Sequence, residues 1–148
     1  MKSILLINDM AGYGKVALSS MIPILSSMKF QVYNLPTALV SNTLDYGKFD
    51  ILETTDYMKN SMRIWDELGF KFDMISTGFL VSEEQTKLVS EYCQKKKEDG
   101  TFIFVDPIMG DDGCTWERYC QYLLCSESGS CCTWRRNHGA GSIPEGQD

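Results

Sequence analysis

Apolar residues along the first 113 positions of the chain alternate between short continuous runs and helical spacing. Ile4-Leu5-Leu6-Ile7 is a compact apolar run of the kind found in strands buried on both faces. After a loop, Ala17, Leu18, Met21, Ile22, Leu25 and Met28 recur at helical spacing, with Pro23 inside the pattern predicting a kink or a late helix start. Phe30 to Leu35 reads as a second strand. Thr54 or Thr55 can cap a helix whose apolar face is Met58, Met62, Trp65 and Leu68, and Gly69 suits its end. Phe72 to Ile75 reads as a third strand. Ser82-Glu83-Glu84-Gln85 has the capping-box pattern and opens a helix with Leu88, Val89 and Tyr92 inward. Lys95, Lys96 and Lys97 fall in its last turn, where the helix dipole favours positive charge. Gly100 ends it, and Thr101 to Val105 reads as a fourth strand. Strand and helix alternating in this order predict an α/β fold, a parallel sheet with right-handed crossovers and helices on both faces.

The pattern stops at Gly113. From Cys114 to Asp148 no period runs long enough to predict an element, and five of the six cysteines fall between Cys114 and Cys132. A secreted disulfide scaffold would spread its cysteines through the fold. We therefore expect two segments: a folded unit over 1–113 and a cysteine-rich, irregular tail over 114–148. The coincident loss of pattern, jump in cysteine and tryptophan enrichment are what a reading-frame shift or a misjoined gene model at codon 114 would produce. Translating the encoding DNA beyond codon 113 in all forward frames tests that origin. A zinc module from Cys114, Cys120, Cys125, Cys131, Cys132 and His138 is the competing account, disfavoured because no C-x2-C pair is present.

Charge narrows the partners. A formal net charge of -6 attracts neither nucleic acid nor an anionic membrane surface. The apolar run at Ile4–Ile7 is too short for a signal peptide or a bilayer span, which leads us to expect a cytoplasmic protein.

Chemistry gathers where the predicted strands end. In an open parallel sheet, ligands bind beyond the carboxyl ends of the strands. The first is followed by Asn8-Asp9-Met10-Ala11-Gly12-Tyr13-Gly14 and the second by Pro36-Thr37-Ala38-Leu39-Val40-Ser41-Asn42-Thr43, then Tyr46-Gly47. The third is followed by Ser76-Thr77-Gly78-Phe79, and the fourth by Asp106-Pro107-Ile108-Met109-Gly110-Asp111-Asp112-Gly113. Individually these are ordinary: Gly12-Tyr13-Gly14 lacks the third glycine of a dinucleotide fingerprint, and Asp9 could equally cap the next helix. Thr37 and Asn42 could serve a turn, and Phe79 could be core.

Taken in order and spacing, these four segments resemble the substrate loops of the pyridoxal and pyridoxamine (vitamin B6) kinases, of the ribokinase-like superfamily. The resemblance covers residues 1–113, the first half of that three-layer fold. It implies ATP-dependent phosphorylation of the 5'-hydroxymethyl group of pyridoxal, pyridoxamine or pyridoxine, with ATP and Mg²⁺ as cofactors and a homodimer for an intact relative. By the resemblance, Asp9 faces the polar edge of the pyridine ring and Thr37 hydrogen-bonds it. Phe79 packs on the ring, Tyr46 closes over it, and Gly12, Tyr13 and Asn42 complete the substrate side. Asp106 and Asp111 stand on the side of the phosphates and their cation. Many relatives carry His after this asparagine, where Thr43 stands here.

The family's catalytic base, an Asp in a Gly-Thr-Gly-Asp turn, is absent from these 148 residues. The resemblance therefore implies a substrate-binding half without a catalytic residue. A hydroxymethylpyrimidine kinase of thiamine synthesis is the alternative within the superfamily. That reading is disfavoured because its first loop is richer in Ser and Gly. A non-catalytic ligand-binding fragment is the alternative from another class.

Overall fold

A computed structural model describes residues 1–43 and 46–106, together with the backbone of two short strands beyond them. The elements are β1 (Ser3–Tyr13), α1 (Leu18–Ser27), β2 (Gln31–Asn42), β3 (Ile51–Glu53), α2 (Thr55–Glu67), β4 (Met74–Thr77), α3 (Glu83–Glu98), β5 (Phe102–Val105), β6 (Gly110–Asp111) and β7 (Cys114–Thr115). Five strands form one sheet in the order β3-β2-β1-β4-β5. All neighbours run parallel except β3, which lies antiparallel on β2 through Val40↔Ile51, Leu39↔Leu52 and Ala38↔Glu53. The sheet is mixed, mostly parallel, where the sequence predicted a wholly parallel one. The short, exposed β3 carries no apolar signal strong enough to announce itself.

The central run behaves as its composition dictates. Leu5, Leu6 and Ile7 are completely buried, and each contributes about 1.5–3 kcal/mol of burial. Alternation sends them to two cores. Leu5, Ile7, Leu35 and Ile75 face α2 and α3, packing with Met58, Met62, Val89 and Tyr92. Ile4 and Leu6 face the other side and pack with Leu18 of α1. The expected helices on both faces are present.

Two expected strands are longer than their apolar runs. β1 continues past Ile7 to Tyr13, and β2 past Leu35 to Asn42, paired from Ser3↔Gln31 to Tyr13↔Asn42. The segments expected as loops after these strands are thus strand, because each continues to satisfy the other's main-chain groups. Between Asn8↔Pro36 and Met10↔Leu39 the register shifts, leaving Asp9 opposite both Thr37 and Ala38. β4 starts two residues later than expected; Asp73, just before it, fastens Ser3, whose N–H and Oγ–H donate to Oδ2 at 2.7 and 2.9 Å. Met28 and Leu68, expected on apolar helix faces, are each 60 % exposed because both helices end before them. The helix around Pro23 starts at Leu18, so its start is not delayed.

α3 opens as predicted: Ser82 Oγ accepts from Gln85 N–H at 3.2 Å. The reciprocal bond goes one residue further out, from Val81 N–H to Gln85 Oε1 at 3.1 Å. Thr54 occupies the cap position of α2, yet its hydroxyl donates to the Pro36 carbonyl at 2.6 Å instead of capping. The lysines expected in the last turn of α3 do more than balance a dipole. Lys96, 5 % exposed, meets Asp66 Oδ1 at 2.6 Å, and Lys95 meets Oδ2 at 2.8 Å. The β6–β7 hairpin pairs Asp111 with Cys114, across the boundary expected after Gly113. The expectations for the tail after Thr115, including its cysteines and His138, lie outside the described residues.

Candidate active site

The carboxyl ends of four neighbouring strands come together at one edge of the sheet. The register sets Ile7 beside both Leu35 and Thr77, and Thr77 beside Val105. Asn8-Asp9, Pro36-Thr37, Gly78-Phe79 and Asp106 therefore follow at the same level on adjacent strands. Above that level the sheet narrows, because β4 pairs with β1 only through Ile4–Ile7. Main-chain bonds carry the pairing one residue further: Gly78 N–H donates to Ile7 O at 2.8 Å and Asp106 N–H to Thr77 O at 3.2 Å.

Asp9 sits at the register shift, half-buried. Burial pushes its carboxyl above the usual aspartate range, opposed by a main-chain hydrogen bond that lowers it. A carboxyl so placed takes up a proton more readily than a solvated one, which suits a partner that offers or shares a proton. Register shifts of this kind re-aim a side chain and are common beside active sites.

Thr37 is wholly buried, and its hydroxyl donates to the carbonyl of Phe79 at 2.8 Å. In this structure the hydroxyl proton that the resemblance directs to a ligand ring goes to a main-chain carbonyl. Phe79 is half-buried and its N–H donates to Asn8 Oδ1 at 2.8 Å. Asn8, passed over in the sequence in favour of its acidic neighbour, thus supports the site. It also explains Gly78: a Cβ there would overlap the Asn8 amide. Gln85, legible only as a capping residue, is fully buried and donates to Thr37 O at 2.8 Å and Thr55 Oγ1 at 3.1 Å.

The remaining expected residues lie toward the far end of β1 and β2. A Cβ on Gly12 would lie 3.0 Å from the Ser41 carbonyl, a tight approach that favours glycine where the two strands pair. Tyr13 and Tyr46 meet edge to face, their ring centroids 5.8 Å apart, both largely exposed. Asn42 ties Thr43 to Lys48, its Nδ2 donating to Thr43 O at 2.9 Å and Lys48 O at 2.8 Å. Asp106 is exposed at the end of β5. Asp111 lies in β6, and its side chain is outside the described residues. The structure therefore gathers Asp9, Thr37, Phe79 and Asp106 at one level of the sheet edge. Gly12, Tyr13, Asn42 and Tyr46 stand beyond them along the extended strands. Among the described residues no group of three or more His, Cys, Asp or Glu side chains is placed to hold a metal ion.

An α/β sheet with its polar groups at these strand ends is the fold of the ribokinase-like kinases, and over its N-terminal part the chain has that fold. Within the class it is similar to pyridoxal kinases and to a protein assigned as a phosphomethylpyrimidine kinase. The latter, from Bacteroides thetaiotaomicron and crystallised with pyridoxal, shares 38 % identity with a TM-score of 0.73, over 82 % of this chain and 43 % of its own. Pyridoxal kinase from Lactobacillus plantarum matches 83 % of this chain and 45 % of its own at 24 % identity, with a TM-score of 0.71. Pyridoxal kinase from Leishmania donovani, in complex with ADP and pyridoxamine, matches 82 % and 47 % at 20 % identity, with a TM-score of 0.73. The chain thus spans less than half the length of each. No protein-family model matches the sequence.

Proposed function

We propose that these residues form the substrate side of an ATP-dependent kinase that phosphorylates the 5'-hydroxymethyl group of a B6 vitamer. The observation that carries the reading is the 38 % identity to a protein crystallised with pyridoxal, spread over 82 % of this chain. The geometry described above agrees with it. The half-buried carboxyl of Asp9 faces the polar edge of a pyridine ring, where its raised proton affinity suits a shared proton. The Phe79 ring packs on the face of the heterocycle, contributing roughly 0.5–1.5 kcal/mol beyond area burial. Tyr46, braced by Tyr13, closes over the outer end.

ATP and Mg²⁺ belong to the reading through the class of enzyme. Asp106 would stand on the phosphate side, and a hard cation there would draw most of its oxygens from phosphates and water, since a single described carboxylate does not make a metal site. Bound there, the cation would neutralise phosphate charge. This chain's own part is to bind and orient the acceptor alcohol. Phosphoryl transfer also needs a group that orients or deprotonates that alcohol, and the Gly-Thr-Gly-Asp turn that would supply it is not among these 148 residues.

Pyridoxine is the appropriate probe, because it lacks the aldehyde that would form imines with lysines. The 148-residue chain should bind pyridoxine in a calorimetric titration, with at least tenfold weaker binding after Asp9→Ala. It should show no ATP-dependent phosphorylation above background. Turnover abolished by Asp9→Ala would overturn the second expectation, and absence of pyridoxine binding would overturn the first.

A hydroxymethylpyrimidine acceptor is the second reading, favoured by the assignment carried by the 38 %-identical relative. Competitive titration of the two alcohols separates them: preferential binding of the pyrimidine would displace the B6 reading. No described helix is long and apolar enough to cross a membrane.

A further inference from the structure

Phe79 is held at both ends of its main chain by side chains from two other strands. Its N–H donates to Asn8 Oδ1 and its carbonyl accepts from Thr37 Oγ1, each at 2.8 Å. Thr37 is itself fixed, its carbonyl accepting from Gln85 Nε2 at 2.8 Å and from Thr54 N–H at 3.3 Å. Gln85 reaches the same loop again, accepting from Val81 N–H at 3.1 Å, while Gly78 N–H donates to Ile7 O at 2.8 Å. The loop between β4 and α3 is thereby pinned at Gly78, Phe79 and Val81. A surface connection does not need so many bonds. Thr37 and Gln85 are both completely buried, and a buried polar network with its members bonded rigidifies what it holds.

We infer that Thr37, Asn8 and Gln85 are positioning residues, which fix the main chain of Phe79 so that its ring is presented to a heterocyclic ligand before the ligand arrives. The inference deepens the proposed function and rests on it for the nature of the ligand. A threonine hydroxyl has one proton to give, and here the Phe79 carbonyl takes it; a ligand atom could receive it only by releasing the loop. Ordering the aromatic platform in advance removes that ordering cost from binding, which is how preorganisation raises affinity.

Amide hydrogen exchange at Phe79, read by NMR on the full chain, tests the inference together with pyridoxine titration. In the unsubstituted chain the Phe79 amide should be protected; exchange at the rate of an open peptide would overturn the clamp without any variant. Thr37→Val should speed exchange at Phe79 roughly 3- to 10-fold, the cost of one lost hydrogen bond, while Val89 in the core keeps its protection. It should weaken pyridoxine binding by a similar factor, and Thr37→Ser, which keeps the hydroxyl, should restore both. Weaker binding with unchanged exchange at Phe79 would show that the hydroxyl touches the ligand itself, and would overturn the inference. If Thr37→Val fails to fold, Asn8→Ala carries the same expectation at the other end of the peptide and unchanged Phe79 exchange in it has the same adverse meaning. A chain that binds no pyridoxine but shows these exchange changes would refute the proposed substrate and leave the clamp standing.

Discussion

β1 is two structures joined end to end. From Ile4 to Ile7 it lies between β2 and β4, covered by helices on both faces, and is fully apolar. From Asn8 to Tyr13 it has lost β4 as a neighbour, carries a carboxylate, an amide and a glycine, and ends in an exposed tyrosine. The backbone continues through the change still paired to β2, with one register shift at Asp9. A strand can therefore end as a core element while continuing as a ladder, and polar residues collect at the transition.

The sharpest way to break this comparison is to make equal truncations on either side of it. Ile7→Ala, at a completely buried position, should cost about 2–5 kcal/mol in urea unfolding. Leu39→Ala, 45 % exposed on the part of β2 that pairs with the extension, should stay within about 0.5 kcal/mol. Similar costs at both would mean that the extension is buried by something the two-part description omits.

At the junction itself, Gly78→Ala forces a methyl group into the Asn8 amide and should destabilise by about 1–3 kcal/mol. Adding Asn8→Ser should recover at least half of that loss, and a double-mutant cycle without coupling would contradict the contact.

The finest test uses two carboxylates with opposite shifts. Asp66, in the last turn of α2, is held below the usual aspartate range. Burial raises it, but hydrogen bonds and charge from Lys95 and Lys96 outweigh burial. Its ionised form stabilises the fold above the unfolded value of 3.8, and that contribution is lost as pH falls through the lower folded value. Asp9, on the extension, is raised by burial, so its ionised form costs stability. That cost is absent below 3.8 and complete once pH exceeds the folded value. At pH 7 Asp66→Asn should therefore lower the unfolding midpoint and Asp9→Asn raise it, by amounts under about 1.5 kcal/mol. Both differences should shrink toward zero in acid. Shifts of the same sign would dissolve the distinction between the two regions.

The fold was legible where burial dictates sequence. Ile4–Ile7 had to be apolar on consecutive positions because both faces are covered, and Ser82 announced α3 by local chemistry alone. The extension was misread as loop because polar side chains there respond to exposure, whereas its strand conformation comes from main-chain bonds that any residue can make. β3 was missed for the same reason: Ile51, Leu52 and Glu53 are all exposed and only three residues long. Of the site, the sequence offered the residue types but not their duties. Asp9 attracted notice by its charge, while Asn8, which holds Phe79, was named only as part of the same segment. Gln85 could be read as a cap, but its bonds to Thr37 and Thr55 join positions 48 and 30 residues apart, and no local pattern encodes them.

The contact between Asn8 and Gly78 has a consequence for how such chains can diverge. Position 78 has no space for a side chain while the amide of Asn8 lies against it, so the two positions cannot drift one at a time without passing through a damaged intermediate. A descendant that gains a methyl group at 78 must first have given up the amide at 8, and with it one of the two bonds that hold Phe79. The order of substitutions at this junction is thus constrained: loss of the amide at 8 precedes any side chain at 78.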